Sequence, residues 1–482
     1  MRPREACGVL GAYSFKGVDV VPKILKGLEA LQHRGQESWG MAVDGKPVFK
    51  RMGLAFNWYN YAQELIGYKG PAGIGHVRYS TKGRSNLLSA QPIEIGSEFT
   101  IAHNGTIVNA EQLAQGVSRE YRNKCATDTI AAGFRLLKIL KEENDWFYAF
   151  ERLGKEIIGS YSFVVLNKRG EVFAVRDPRG YRPLCLGWHQ KSRTYVAASE
   201  SCALSALDAE FVRDVEPGEV VRLGGRQRGL ESFRFAPKME PAYCSFEYTY
   251  FAHPSSRVNG VSVYEARKKV GRVLARKHKM RGDVVIPVPD SARPAALGYS
   301  VESGIPMDEG LMKDRYRRKG SIRSFIEPRQ SGREEVVKRI IPIREAIEKK
   351  EVIVVDDSIV RGTSSKIIID ALKKEGAKKV RMVVTFPPIA HPCYMGVDFP
   401  SREELLAHQV ANGDSRISTI GKKVAKAIGV EEFYYNDIDG LADAIGLPKT
   451  SMCFACINGD YSKLGITPNF KTKKEMKASP SR

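Results

Sequence analysis

The run VIVVDDSIVRGTSSKIIIDAL at residues 352–372 constrains the fold around it more than any other stretch of the chain. Val352–Val355 are apolar without polar alternation, as in a strand buried on both faces. Such strands belong to parallel sheets covered by helices on either side. Asp356 and Asp357 end the run, and a loop of hydroxyls, Arg361 and Gly362 then opens a helical pattern. In open parallel sheets, ligands bind at the carboxyl ends of the strands, where both aspartates fall. Glycine, hydroxyls and main-chain N–H groups at a helix N-terminus make a cradle for phosphate. Carboxylates beside that cradle repel an anion unless they contact ribose hydroxyls or hold Mg²⁺ bridging to a pyrophosphate. A DD pair alone would read as an acidic turn. The whole run suits a sugar carrying both a phosphate and a pyrophosphate.

After about residue 260 the same rhythm continues. Helical SVYEARKKVGRVLARKHKM leads to the strand DVVIPVPD, then to helical ARPAALGYSVESG. Strands alternating with helices predict right-handed βαβ units, an α/β domain. The first 235 or so residues differ. PAGIGHVRYST, FTIAHNGTIVN and GSYSFVVLNKRGEVFAVRD read as strands, VVPKILKGLEALQHRG as a helix ending at Gly35, and residues 127–157 as one long helical region. Strands and helices in separate runs predict a layered α+β domain.

With 482 residues, two or three domains are expected. A hydrophobic share of 43% with 27% charged residues predicts a packed globular protein. No stretch reaches the ~18 apolar residues of a membrane span, and the N-terminal apolar run is too short for a secretory signal. A cytoplasmic protein without a membrane partner is expected. The net charge of +21 raises nucleic acid as a partner. RYRRKGSIR (315–323) and the tail KTKKEMK (471–477) hold part of the excess, without the repeated aromatic platforms of a single-strand groove. Nucleic acid is therefore not the expected partner.

The acidic strand end resembles the phosphoribosylpyrophosphate (PRPP) motif of type I phosphoribosyltransferases. The resemblance implies that Asp356 and Asp357 meet the ribose and Mg²⁺. It implies that the loop with Ser358, Arg361, Gly362, Thr363 and Ser364 holds PRPP, residues 359–364 taking its 5-phosphate. IPVPDSARPAA supplies Asp290 and Ser291 at a second strand end and resembles the pyrophosphate-side loop, with Ser291 near the metal.

Cys7 in CGVLGAY could alone be an ordinary buried cysteine. LQHRGQESWG (31–40), GHVRYST (75–81), AHNGTIVN (102–109) and CATDTIAAG (125–133) accompany it. Together they resemble the glutaminase domain of class II glutamine amidotransferases, which are N-terminal-nucleophile hydrolases with an αββα sandwich. Amide hydrolysis needs a nucleophile, a base, an oxyanion hole and an anchor for the zwitterionic end of the substrate. The resemblance assigns Cys7 as nucleophile, with its own α-amino group as base once residues 1–6 are removed. It gives the oxyanion hole to Asn104 and Gly105, the α-carboxylate of glutamine to Arg78 and its α-ammonium to Asp128. His33 and Arg34 are expected to be structural or loop-positioning.

Both halves in this order resemble the amidophosphoribosyltransferase family, specifically its iron–sulfur, propeptide-bearing subgroup. The implied organisation is a propeptide (1–6), a glutaminase domain (7–235), a phosphoribosyltransferase domain (236–465) and a basic tail (466–482). The implied reaction makes 5-phosphoribosylamine from PRPP and glutamine, the first committed step of de novo purine synthesis. Purine nucleotides are the implied inhibitors, and a homodimer or homotetramer the implied assembly.

Cys453 and Cys456 form a C-x-x-C, which alone reads as zinc, redox or coincidence. With Cys244 and Cys393 they make four thiolates, suited to an iron–sulfur cluster or structural zinc. The resemblance favours a structural 4Fe-4S cluster. Cys125, Cys185 and Cys202 are expected to pack as small apolar residues. The loop KDRYRRKGSIRSFI (313–326) is longer and more basic than the family pattern, with Arg323 matching its PRPP-loop arginine. AHPSS and DSARPAA also depart from the usual residues. These changes would also fit a PRPP-binding paralogue with altered activity or a regulatory role.

Overall fold

The structure, a computed structural model, describes residues 7–79, 86–115, 127–224, 229–314, 340–397, 399 and 401–465. Residues 1–6, Cys125, Arg323 and the tail 466–482 lie outside the described residues.

Alternating strands build two antiparallel sheets in the first half. The strands in chain order are β1 Gly8–Ser14, β2 Ser38–Val43, β3 Phe49–Met52, β4 Ala72–Arg78, β5 Ile93–Ile95, β6 Phe99–Ile107 and β7 Gly159–Asn167. β8 Val172–Arg176, β9 Cys185–His189, β10 Thr194–Ala198, β11 Glu210–Asp214, β12 Glu219–Arg222 and β13 Glu231–Arg234 follow. One sheet has the order β11-β9-β10-β1-β4-β2-β3, the other β13-β12-β8-β7-β6-β5. Successive side chains point to opposite faces. Val9 and Val164 therefore meet between the sheets, with Ile74, Ala102, Val172 and Ala197. Leu10 faces outward under the helices Val21–Ala30 and Ser201–Ala206. Phe163 and Val165 face outward under Asp128–Glu143 and Trp146–Glu156. The result is the expected αββα sandwich. Gly73 and Gly75 let the first helix lie close on β4, since a Cβ there would stand 2.6 and 2.8 Å from Ile24 carbons.

The long helical region of residues 127–157 is two helices rather than one. Asn144 adopts a left-handed φ of 48°, and Asp145 caps the second helix by accepting from the Tyr148 amide at 2.8 Å. An Asn tolerates that conformation and an Asp side chain satisfies an orphan N–H, so the chain turns here at little cost.

The second half holds a four-stranded parallel sheet in the order Val284–Pro287, Glu351–Asp356, Lys379–Val384, Phe433–Tyr435. Val285, Ile353, Val355 and Val383 pack on one face, while Val284, Ile286, Val352, Val354 and Met382 pack on the other. Both faces are covered, as the unbroken apolar run at 352–355 required. Helices Val263–Lys277 and Arg293–Ser303 cross with their backbones touching: a Cβ on Gly271 would sit 1.9 Å from the Ala295 carbonyl oxygen. Ser262 caps the former by accepting from the Glu265 amide. Among the described residues, no helix is long and apolar enough to cross a membrane.

Candidate functional site

Cys7 immediately precedes β1, whose Gly8 pairs with Val77 on β4. Arg78 ends β4 and is buried, 3.2 Å from Glu37. Gly35 packs against the Arg78 main chain, where a Cβ would lie 2.6 Å from the Arg78 nitrogen. The HRG sequence thus serves close approach of a loop to this strand end. The Cys7 thiol donates to the Tyr79 carbonyl at 3.5 Å. Burial raises its pKa above the ordinary thiol value, opposed by the Tyr79 hydrogen bond and by the Arg78 charge; Glu37 and Asp128 push it up further. A proton acceptor is needed to make this thiol nucleophilic.

Asp128 opens its helix and accepts from the Ile107 amide at 2.8 Å and the Thr129 amide at 3.0 Å. It is the link between β6 and the thiol, because its charge reaches Cys7. On β6, Asn104 is fully buried, and neither its Oδ1 nor its Nδ2 has a hydrogen-bond partner among the described residues. Leaving an amide so costs roughly 1–3 kcal/mol, a cost expected where a substrate atom completes the site. Gly105 follows with φ 146°, and a Cβ on it would stand 2.1 Å from the Ser160 oxygen, so only glycine fits.

In the second half, Asp357 gathers both loop serines. Ser358 donates to its Oδ1 at 2.7 Å, and Ser291, from the neighbouring strand end, donates to its Oδ2. Asp356 Oδ1 accepts the Asp357 amide at 2.9 Å. Gly362, at φ 78°, leads into the helix Thr363–Lys374. The strand, both carboxylates and the helix N-terminus are thus one continuous turn. Arg361 points its guanidinium at Glu404, 2.9 Å from Nε, and Asp290 holds Lys313 and Arg293. Ser364 lies in the first turn of the helix, half-buried.

The cysteine quartet is brought together from distant segments. Cys244 and Cys453 are partners in a short parallel ladder, Cys456 carries the carbonyl that accepts from the Ala390 and His391 amides, and Cys393 Sγ accepts from the Met395 amide at 3.3 Å. The charges of Cys244, Cys393 and Cys453 all reach Cys456. Burial raises the thiol pKa of Cys244 to about 11 and that of Cys453 to about 12. Cys185 and Cys202 are buried within the first half.

Arg34, Arg182, Glu200 and Glu247 are buried residues that join the halves; Arg34 lies in the motif expected to be structural, whereas the other three carry no local signature. Arg34 donates to the Cys7 carbonyl at 3.1 Å and to Glu200 at 2.5 Å and Glu247 at 2.7 Å. Both acids hold its pKa well above the ordinary guanidinium value. Glu200 also accepts from Ser256 and the His253 amide, each at 2.7 Å. Arg182 donates to the Met395 carbonyl at 2.7 Å.

A family profile described as "Glutamine amidotransferase domain" matches residues 76–206. The amidophosphoribosyltransferase of Methanocaldococcus jannaschii is 39% identical over 478 residues, covering 94% of this chain and 97% of that protein. That of Methanothermobacter thermautotrophicus is 40% identical over 469 residues, covering 95% of this chain and 94% of that protein.

The chain belongs to the amidophosphoribosyltransferase family.

Solved structures agree along nearly the whole length. "Glutamine phosphoribosylpyrophosphate (PRPP) amidotransferase from B. subtilis complexed with ADP and GMP" superposes with a TM-score of 0.80 at 34% identity, covering 94% of this chain and 97% of that one. "Structure of the allosteric regulatory enzyme of purine biosynthesis" gives a TM-score of 0.80 at 35% identity, covering 94% of this chain and 96% of that one. The amidophosphoribosyltransferase architecture thus accounts for both halves, a class II glutaminase sandwich followed by a phosphoribosyltransferase sheet.

Proposed function

We propose that the chain releases ammonia from glutamine at Cys7 and transfers it to C1 of PRPP at the strand end bearing Asp356 and Asp357. Products are 5-phosphoribosylamine, glutamate and pyrophosphate, the entry to purine synthesis. The observation that carries this reading is the fully buried Asn104 amide, neither atom of which has a partner among the described residues, on a strand that Asp128 ties to the thiol. A purely structural asparagine would not be left so.

Removal of residues 1–6 frees the Cys7 α-amine, whose ordinary pKa near ~8 lets it take the thiol proton near neutrality. Sγ then attacks the carboxamide carbon. The Asn104 side chain and the Gly105 N–H receive the negative charge on the carbonyl oxygen. The protonated amine gives its proton to the leaving ammonia, and water hydrolyses the thioester. Arg78 receives the α-carboxylate and Asp128 the α-ammonium. At the second site the loop 358–364 holds the 5-phosphate and the carboxylates orient the ribose, so ammonia displaces pyrophosphate in line.

Ser291, Asp356 and Asp357 offer hard oxygen donors at two adjacent strand ends, the donor type of Mg²⁺, which when bound would neutralise the pyrophosphate. The cysteine cage fits a 4Fe-4S cluster. The buried Tyr181 hydroxyl, packed with Cys393 and Cys453, has no partner among the described residues. The cluster is structural in this reading, tying Cys453 and Cys456 to Cys244 and Cys393.

The B. subtilis complex with ADP and GMP supports purine nucleotides as ligands; in this reading they inhibit, one site overlapping that of PRPP. Arg323 is a PRPP-binding residue in this reading, the assembly is a homodimer or homotetramer, and the location is cytoplasmic. The test is anaerobic purification followed by intact mass, iron and sulfide analysis, and glutamine- and PRPP-dependent pyrophosphate release. An active protein beginning at Cys7 with four irons per chain is expected. Full activity from a chain still beginning at Met1 would contradict the nucleophile assignment.

A further inference from the structure

Glu247 lies in the π-helical turn Glu247–Phe251 of the second half and is 1% exposed. Its carboxylate is shared by two buried arginines of the first half. Oε1 accepts from Arg34 Nη2 at 2.7 Å and from Arg182 Nη1 at 3.1 Å, and Oε2 accepts from Arg34 Nη1 at 3.0 Å. Each arginine spends its Nε proton on a main-chain carbonyl. Arg34 donates to Cys7 itself at 3.1 Å, and Arg182 to Met395 at 2.7 Å. The residue after Met395, Gly396, presses on Gly105. One carboxylate thus forks into two arms. One ends on the residue that attacks, the other on the loop that backs the oxyanion glycine.

The two arms respond differently to loss of that charge. Arg34 keeps a second carboxylate, Glu200. Among the described residues Arg182 has ion-paired contact with Glu247 alone. An uncompensated buried guanidinium shifts toward any acceptor it can reach, and here it grips the cysteine loop. A displacement of about 1 Å at a reacting group can cost about 10²-fold in rate.

We propose that Glu247 is a positioning residue for glutamine hydrolysis. The glutaminase site is complete only when this carboxylate from the transferase half holds Arg34 and Arg182 in place. The inference rests on Cys7 being the nucleophile. It makes the π-helical turn the physical tie between the two activities: its Tyr248 and Tyr250 carbonyls, with that of Ala252, accept from Arg267 of the helix Val263–Lys277.

The test compares Glu247→Gln and Glu247→Asp in the full chain with glutamine, and separately with free ammonium as nitrogen donor. For Glu247→Gln, kcat with glutamine should fall about 10²-fold with KM for glutamine within about threefold. Ammonium-dependent transfer to PRPP should stay within about twofold, which also reports a folded second half. Glu247→Asp, retaining the charge, should recover part of the glutamine-dependent kcat. Unchanged glutamine-dependent kcat in Glu247→Gln overturns the proposal. Equal loss of both activities overturns it as well, because Glu247 would then serve the fold alone. Wild-type glutamine use by Cys7→Ala would instead remove the nucleophile reading, a result separable from either.

Discussion

A methyl group on Gly396 would stand 3.0 Å from the Gly105 α-carbon and 3.1 Å from Arg182 Nε. The loop that carries Cys393 therefore touches the strand assigned to the oxyanion hole. Gly396 also has φ 96°, a region that side chains of L-residues disfavour by about 1–2 kcal/mol. Gly396→Ala is expected to lower the melting temperature and to reduce glutamine-dependent synthesis more than ammonium-dependent synthesis. Parallel assays with the two nitrogen donors check it; equal reductions would show the contact to be irrelevant to the first site.

Asn104 sets activity against stability. Its amide is buried without partners among the described residues, so deleting it removes an unsatisfied group while leaving a small void. Asn104→Ala should lower kcat for glutamine hydrolysis by about 10²–10³-fold with little change in KM. Its thermal unfolding midpoint should match or exceed that of the native chain. A large stability loss with retained kcat would assign Asn104 to packing.

Acid should destabilise the first half through two buried histidines. Burial lowers the pKa of His76 to about 3, and that of His103 is lowered for the same reason. Both are neutral in the fold, while in the unfolded chain they protonate near ~6.5. The depressed pKa of His76 contributes stability that is full above ~6.5 and is lost as pH falls toward about 3, and His103 acts in the same direction. His76 contributes a slope of up to about 1.4 kcal/mol per pH unit in that window. Urea midpoints at pH 7.5 and 5.0 measure it, and His76→Gln should flatten the slope by about one proton.

The buried Tyr181 hydroxyl packs near Cys393 and Cys453 and has no hydrogen-bond partner among the described residues; in the proposed reading it donates to a sulfur of the bound cluster. Hydrogen bonds to cluster sulfurs raise the reduction potential. Tyr181→Phe should move the cluster midpoint to a more negative value in an EPR-monitored redox titration, with iron content unchanged. An unaltered midpoint would show that the hydroxyl does not reach the cluster.

The acidic strand end was readable because its parts are contiguous. Val352–Val355 need two buried faces, Asp356 and Asp357 must then lie at the carboxyl end of the strand, and Gly362 needs its left-handed turn before the helix. The sandwich was readable from alternating strands. Asn144 hid inside an apolar helical periodicity, since one residue in a left-handed conformation leaves the pattern on either side intact. Glu200, Glu247 and Arg182 were not legible at all. Glu247 and Arg34 are 213 residues apart, as are Arg182 and Met395, so no spacing within a motif could pair them. Arg361 illustrates a further limit: its place in the loop could be read, but the turn of its guanidinium toward Glu404, 43 residues on, could not.

The central claim is that nitrogen freed at Cys7 is consumed at the strand end of Asp356 and Asp357 in the same molecule. Glutamine labelled with ¹⁵N in its amide, supplied with PRPP, Mg²⁺ and an excess of unlabelled ammonium, tests it by the isotope content of the trapped phosphoribosylamine. Product enriched in ¹⁵N well beyond the labelled share of total ammonia is the predicted result. Product that simply mirrors the ammonia pool, or none at all, would contradict the account.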